Sequence, residues 1–176
     1  MKSPQPQADP AAPVVRLLKK VNVVAGGSKK LAESLQVVPR PIESALSAWL
    51  QLQNQAFGRT KSRGWQQADF RRELQMRPWY ANSCSFFATD GPTLVGTITL
   101  ELPLARRRAG QLHWLVVARE YQRRGLGRLL VAACERECEQ RGVDRIEIET
   151  LRTWRAAMGF YASLGFHPTT DSSSAS

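Results

Sequence analysis

The sequence has few cysteines, no long apolar run and fewer acidic than basic residues. Its three cysteines, Cys84, Cys134 and Cys138, cannot form a closed set of disulfides, and no neighbouring Cys or His completes a metal-ligand pattern. We expect them to be reduced core residues, and no metal site is predicted. The longest apolar stretches, Val14–Leu18 and Leu112–Ala118, are far shorter than the roughly 20 residues that cross a bilayer, so no transmembrane helix is expected.

The first residues also lack the apolar core of a secretory signal, because Met1–Pro13 is rich in Pro, Gln and Ala. We therefore expect a cytoplasmic protein. The 25 Lys and Arg against 15 Asp and Glu give a formal net charge of +10, which favours nucleic acid, an anionic membrane or a phosphate-rich cofactor as partner. Charge alone does not choose among these three. The 176 residues and 43% hydrophobic content are those of one folded domain.

Apolar periodicity and turn residues predict an α/β fold, with helices packed on a mixed sheet. The segment Val14–Val24 stays unassigned, as two short strands or one amphipathic turn. We expect an N-terminal extension over residues 1–33, partly flexible, then one domain over 34–170 and a disordered tail over 171–176. The predicted elements are a helix from Pro41 to Gly58, a short helix over Gln66–Gln75, a hairpin of Ser85–Thr89 with Thr93–Leu102, a strand over Leu112–Val117, a helix from Leu126 to Gly142, a strand over Ile146–Glu149 and a helix capped by Thr153 and ended by Gly165.

A glycine-containing segment follows the strand Leu112–Val117 at the start of a helix. The N–H groups of a first helical turn have no intrahelical partner, and the helix dipole favours an anion there. Glycines let an oxyanion approach the backbone, and Arg123, Arg124 and Arg128 can add charge-assisted bonds. The segment therefore predicts a phosphate-binding loop. A Walker A loop is excluded because the sequence has no Gly-Lys followed by Ser or Thr, and a dinucleotide fingerprint lacks its third glycine, since Leu130 stands there.

Two motifs in this order, Q-x-x-G-x-G at Gln122–Gly127 and F-Y-x-x-L-G-F at Phe160–Phe166, resemble the GNAT superfamily of N-acetyltransferases over roughly residues 35–170. The resemblance implies an acyl-CoA N-acyltransferase fold, acetyl-CoA as cosubstrate and a V-shaped opening between two parallel strands. It implies that the loop holds the diphosphate while strand backbone pairs with the pantetheine arm. The implied cofactor-binding residues are Leu115, Val116, Val117, Gln122, Arg123, Arg124, Gly125, Leu126, Gly127 and Arg128.

The resemblance also implies transfer of acetyl to a primary amine by direct attack in a ternary complex. Such transfer needs a base for the amine, a donor to the oxyanion and an acid for the leaving thiolate. Tyr161 matches the usual acid of the family. Glu149 ranks first as base, Glu101 second and His113 third, with a water chain as an alternative. A backbone N–H on Leu115–Val117 is expected to face the oxyanion.

The sequence departs from the family pattern at two points. Trp154 stands where many relatives carry an Asn that contacts the cofactor, and the chain ends soon after Phe166, where relatives continue through a hairpin that helps form the acceptor pocket. Either that pocket is open or a second subunit completes it, as in a homodimer. The acceptor, a small molecule or a protein amine, is not identified.

Two rival functions stay open. One is a non-catalytic acyl-CoA binding or interaction module, because a fold does not guarantee activity. The other is a nucleic-acid binder driven by arginines, which is disfavoured because no recognised reading motif is present. No membrane partner is expected.

Overall fold

The computed structural model describes residues 13–21, 34–59, 62–103 and 109–169. The predicted flexible start, the basic loop Arg106–Arg108 and the predicted tail over 171–176 lie outside the described residues. The described chain forms a mixed sheet of seven strands with helices packed against it, which confirms the predicted α/β class. None of the helices in these four ranges is long and apolar enough to span a membrane.

The sheet has the strand order β2-β3-β4-β5-β6-β1-β7. All neighbours pair antiparallel except β5 and β6, which are parallel. The predicted hairpin is confirmed as β3 and β4, and Gly91 supplies the positive φ of 54° at its turn. The strands are β1 Val14–Lys20, β2 Leu35–Pro39, β3 Ser83–Asp90, β4 Thr93–Glu101, β5 Ala109–Val117, β6 Arg145–Leu151 and β7 His167–Pro168.

The predicted helices are also present. The helix α1 (Leu46–Ala56) follows a 3-10 turn at Ile42–Ala45, and α2 (Gln67–Phe70) continues into a π-helical turn over Arg71–Gln75. Later in the chain come α3 (Leu126–Gln140) and α4 (Arg155–Ala162).

One predicted helix cap is wrong. Trp154, not Thr153, is the N-cap residue of α4, and its side chain makes no capping hydrogen bond. The backbone N–H of Arg155 donates to the carbonyl of Thr153 at 3.0 Å. This tight turn moves the first helical residue one position along the chain, so the Thr153 hydroxyl does not cap the helix.

The core has two parts, one on each face of the sheet. The first lies between the sheet and the helices α3 and α4, and it contains the buried, free thiols of Cys134 and Cys138, as expected. The second lies between the opposite face and the helices α1 and α2. Its buried members are Ile42, Trp49, Phe70, Leu74 and Phe87. We call these two sides the α3/α4 face and the α1/α2 face.

The segment that the sequence left unassigned contains the strand β1. This strand pairs along its whole length with β6, from Val14↔Leu151 to Lys20↔Arg145, and its other edge pairs with β7. Val15 and Leu17 are buried, whereas the next inward position, Lys19, forms an ion pair with Glu135 of α3. That inward lysine breaks the apolar alternation which would have identified the strand. Residues 14–20 of the predicted extension therefore belong to the central sheet.

Candidate active site

The parallel strands β5 and β6 separate halfway along their length. Their pairs run from Ala109↔Arg145 to Leu112↔Ile148, and the later residues of these two described strands form no pairs with each other. The strand β5 continues beyond this point with β4 as its partner, as far as Gly96↔Val117. The backbone of Leu115–Val117 is consequently open on the side of β6. This is the V-shaped opening that the resemblance implies.

A bulge lies at the start of this open edge. Between Thr97↔Val116 and Thr99↔His113, β5 contains one residue more than β4. Trp114 lies in the bulge with a φ of 56°, a conformation that L side chains rarely adopt. Its ring packs on the α1/α2 face, with its centroid 4.7 Å from that of Trp65 and 6.5 Å from that of Trp49.

The predicted phosphate loop joins β5 to α3. Gly125 is the N-cap residue of α3 with a φ of 91°, and a Cβ placed there would meet no atom within 4 Å. No side chain caps the helix. Arg123 also has a positive φ, 63°. An uncapped helix start beside open space is suited to an anion such as a diphosphate, because the N–H groups and the helix dipole both attract it.

Hydrogen bonds fix the two ends of this loop. The Gln122 side-chain amide donates to the carbonyl of Val117 at 3.0 Å, which holds the loop against the end of β5. The Tyr121 hydroxyl donates to Asp90 at 2.7 Å, and the guanidinium of Arg124 lies 5.4 Å from the centre of the Tyr121 ring. The loop therefore has a defined shape before any ligand binds.

Two residues assigned to the cofactor also contact α4. A Cβ on Gly127 would come within 3.1 Å of Cζ of Phe160, so this glycine allows α3 and α4 to approach closely. The Arg128 guanidinium donates to the carbonyl and hydroxyl oxygens of Ser163, at 3.3 and 2.9 Å. Gly127 and Arg128 thus join the loop to the helix that carries Tyr161.

Tyr161 lies on the α3/α4 face, between the rings of Phe160 and Phe166, at centroid distances of 5.2 and 5.6 Å. Its hydroxyl has no hydrogen-bond partner among the described residues. Burial raises the pKa of this phenol well above its usual value. Tyr161 therefore keeps its proton at neutral pH.

Glu149 and His113 are the first residues of β6 and β5 beyond the last parallel pair. Glu149 alternates with the buried residues Ile148 and Thr150, so its carboxylate lies on the α1/α2 face. The side chain is 43% exposed, and it forms an ion pair with Arg16 of β1 at 2.8 Å. Sequence reasoning missed Arg16, because the pairing of β1 with β6 has no local signal.

Glu101 and His113 form a pair of their own. Oε2 of Glu101 lies 2.9 Å from Nε2 of His113, and the side chains are 16% and 21% exposed. The His113 ring stacks on Trp79 with a centroid distance of 4.6 Å and an interplanar angle of 5°. The structure thus brings the second and third candidate bases together, while the first, Glu149, is paired with Arg16.

Two aromatic residues between α1 and α2 contact residues on either side of the V-shaped opening. Phe57 packs against Trp154, which follows β6, at a centroid distance of 6.1 Å, and Trp65 packs against Trp114 of β5. We call these four aromatic residues the aromatic rim. Trp154, which stands where many relatives of the resembled family carry a cofactor-contacting Asn, is part of this rim.

The Acetyltransferase (GNAT) family model matches residues 46–166, which is more than half of the chain. The chain belongs to the GNAT family. The N-acetyltransferase family 8 member 3 of Rattus norvegicus is 32% identical to this GNAT chain over 90 residues. That match covers 49% of this chain and 40% of the rat protein, so the chain spans less than half the length of the curated relative it matches.

Solved structures show the same fold. A tandem GNAT protein from the clavulanic acid biosynthesis pathway has a TM-score of 0.66 at 18% identity, covering 91% of this GNAT chain and 51% of that one. An aminoglycoside acetyltransferase from an uncultured soil metagenomic sample has a TM-score of 0.62 at 18% identity, with coverages of 76% and 89%. The ribosomal-protein-S18-alanine N-acetyltransferase of Escherichia coli has a TM-score of 0.60 at 24% identity, with coverages of 77% and 79%.

Proposed function

We propose that this GNAT chain transfers an acetyl group from acetyl-CoA to a primary amine by direct attack in a ternary complex. One observation carries the proposal: the open backbone edge of Leu115–Val117 leads within a few residues to the uncapped, glycine-started helix α3. An open strand edge binds an extended chain through backbone hydrogen bonds, and the helix start binds a diphosphate. Acetyl-CoA has both parts, and when bound it supplies an activated acetyl thioester.

The residues proposed to hold the donor lie on the edge and the loop. The backbone of Leu115, Val116 and Val117 pairs with the pantetheine arm, and one N–H of this edge stabilises negative charge on the acetyl oxygen. The loop binds the diphosphate through backbone N–H groups and guanidinium groups. Its residues are Gln122, Arg123, Arg124, Gly125, Leu126, Gly127 and Arg128.

The two faces of the sheet divide the chemistry. Glu149, on the α1/α2 face, accepts a proton from the acceptor amine as the new C–N bond forms. Tyr161, on the α3/α4 face, donates its proton to the sulfur as the C–S bond breaks. Each proton therefore has a defined origin and destination, and the pair Glu101–His113 is the alternative base.

The buried cysteines support direct transfer. Cys134 is fully enclosed, and burial raises the pKa of Cys138 to about 12, so neither is a thiolate at neutral pH. Neither of these thiols is suited to carry the acetyl group between donor and acceptor.

The test is the release of free thiol from acetyl-CoA in the presence of a panel of primary amines. We expect amine-dependent release, together with thermal stabilisation that grows with CoA concentration. Tyr161→Phe keeps the ring packing and removes the proton donor, so kcat should fall by about 10²- to 10⁴-fold with the affinity for CoA unchanged.

Two other outcomes would contradict the proposal, each in a different way. Binding of CoA with no turnover on any amine would identify a non-catalytic acyl-CoA binding module. Absence of CoA binding at millimolar concentration would overturn the donor site itself.

A further inference from the structure

Arg59, in the connection between α1 and α2, has a guanidinium with no hydrogen-bond acceptor among the described residues. Its Nη1 atom is buried, although the residue as a whole is partly exposed. The Asp69 carboxylate attracts Arg59 without forming a hydrogen bond to it. That carboxylate instead accepts hydrogen bonds from Arg72 and from the backbone N–H of Gln66. A buried N–H group without an acceptor destabilises a fold, and a ligand oxygen at this position would remove that cost.

Aromatic rings hold this guanidinium in place. Its central carbon lies 4.9 Å from the ring centre of Phe57 and 4.6 Å from that of Trp65. Phe57 in turn contacts Trp154 beyond β6, and Trp65 contacts Trp114 on β5. Arg59 therefore lies in the middle of the aromatic rim, between the two sides of the V-shaped opening.

The position of Arg59 does not suit the diphosphate of the donor. The helix α3, whose start is the proposed diphosphate site, packs on the α3/α4 face. Arg59 packs with Trp65, which belongs to the cluster on the α1/α2 face. That face also carries Glu149, the proposed base for the acceptor.

We propose that Arg59 binds a carboxylate of the acceptor, so that the substrate is a small primary amine that carries a carboxylate. The inference rests on the proposed function and names its substrate class. The planar guanidinium can pair with both carboxylate oxygens, and the rings on either side fix its orientation. The rim of four aromatic residues selects an apolar body for the same molecule.

The test compares kcat/KM for matched acids and amides, L-phenylalanine with L-phenylalaninamide and L-leucine with L-leucinamide. Arg59→Met keeps an unbranched apolar stem and removes the charged guanidinium, and we expect the acid-to-amide ratio to fall by about tenfold or more, mainly through KM. Arg59→Lys should retain part of the ratio. Comparing each ratio with that of the wild type cancels the difference in amine basicity between acid and amide.

Arg77→Met is the matched control. Arg77 is 51% exposed and pairs with Glu73, so its loss removes one positive charge without touching the rim or Asp69. The acid-to-amide ratio should be unchanged in this variant. A further measurement compares a tetrapeptide amide that contains Asp with the same peptide containing Asn. A higher kcat/KM for the Asp peptide would mean that the carboxylate bound by Arg59 belongs to a peptide and not to a free amino acid.

A binding measurement separates this inference from the proposed function. Thermal shifts of the CoA-bound protein are measured with N-acetyl-L-phenylalanine and with its amide. Stabilisation by the acid in the wild type but not in Arg59→Met supports the carboxylate site even if no amine is turned over. Equal acid-to-amide ratios in the wild type and a folded Arg59→Met protein, or no preference for the acid in binding, would overturn the proposal.

Discussion

Glu149 and Glu101 differ in what surrounds them. Glu149 is at the apex of the V-shaped opening and is almost half exposed, so an amine can reach its carboxylate. Glu101 is enclosed by its contact with His113, whose other neighbour is the Trp79 ring. Accessibility at the apex is the physical reason to rank Glu149 first.

Replacing Glu149 by Gln should lower kcat by about 10²- to 10⁴-fold, because general-base catalysis by a positioned carboxylate is of that size. The affinity for CoA, measured by titration calorimetry, should not change. Glu101→Gln should have the smaller effect on kcat. A larger loss in Glu101→Gln or in His113→Gln would place the base at that pair.

The candidate site residues that the sequence predicts are those contiguous in the chain. The loop from Gln122 to Arg128 and the motif around Tyr161 can each be recognised from neighbouring residues. A phosphate-binding helix start, for example, is built from consecutive positions, so its pattern is visible in the sequence. Arg16 and Arg59 were missed, since each acquires its role from partners that only the fold brings near.

Among the elements, α3 and α4 depend on the absence of a side chain at Gly127. A Cβ at this position would meet the Phe160 ring at 3.1 Å, whereas at Gly125 it would meet nothing within 4 Å. The two glycines of one motif therefore have different roles: Gly127 allows close packing, and Gly125 supplies a positive φ beside open space.

Gly127→Ala should lower the free energy of unfolding by about 1–3 kcal/mol, because the methyl group forces the Phe160 ring to move. Urea denaturation followed by circular dichroism measures this change. The double variant Gly127→Ala, Phe160→Leu should recover part of the loss, since the smaller side chain leaves room. If the double variant loses as much unfolding free energy as the two single variants together, the contact with Phe160 is not the cause of the destabilisation.

The elements that the sequence predicted are those with strong local signals. The hairpin of β3 and β4 has a turn sequence, and α3 has helical spacing with Gly142 beyond its end. The strand β1 was not identified, because Lys19 occupies an inward position and is neutralised by Glu135 on a distant helix.

At the scale of the whole molecule, β1 lies between β6 and the edge strand β7 of the sheet. Leu17, its most buried residue, is 2% exposed within the core of the α3/α4 face. The tryptophans Trp49, Trp65, Trp79 and Trp114 lie in the cluster on the other face. Four of the five tryptophans therefore report on the face opposite to Leu17, whereas the fifth, Trp154, lies just beyond β6, the strand that pairs with β1.

Leu17→Ala should cost about 2–5 kcal/mol of unfolding free energy, as expected for a fully buried leucine. Leu18→Ala, at the adjacent and less buried position, is the control and should cost less. Fluorescence and circular dichroism should show one coincident urea transition in both variants. Separate transitions would mean that β1 and the rest of the sheet unfold independently.

The pairing of β1 with β6 joins distant parts of the polypeptide, since Arg16 and Glu149 are 133 positions apart. During translation β1 leaves the ribosome before its partner strand, which is made more than a hundred residues later. A nascent protein must therefore keep this strand from aberrant association until β6 emerges. The three positive charges of β1, at Arg16, Lys19 and Lys20, suit that task, because charged side chains discourage edge-to-edge aggregation.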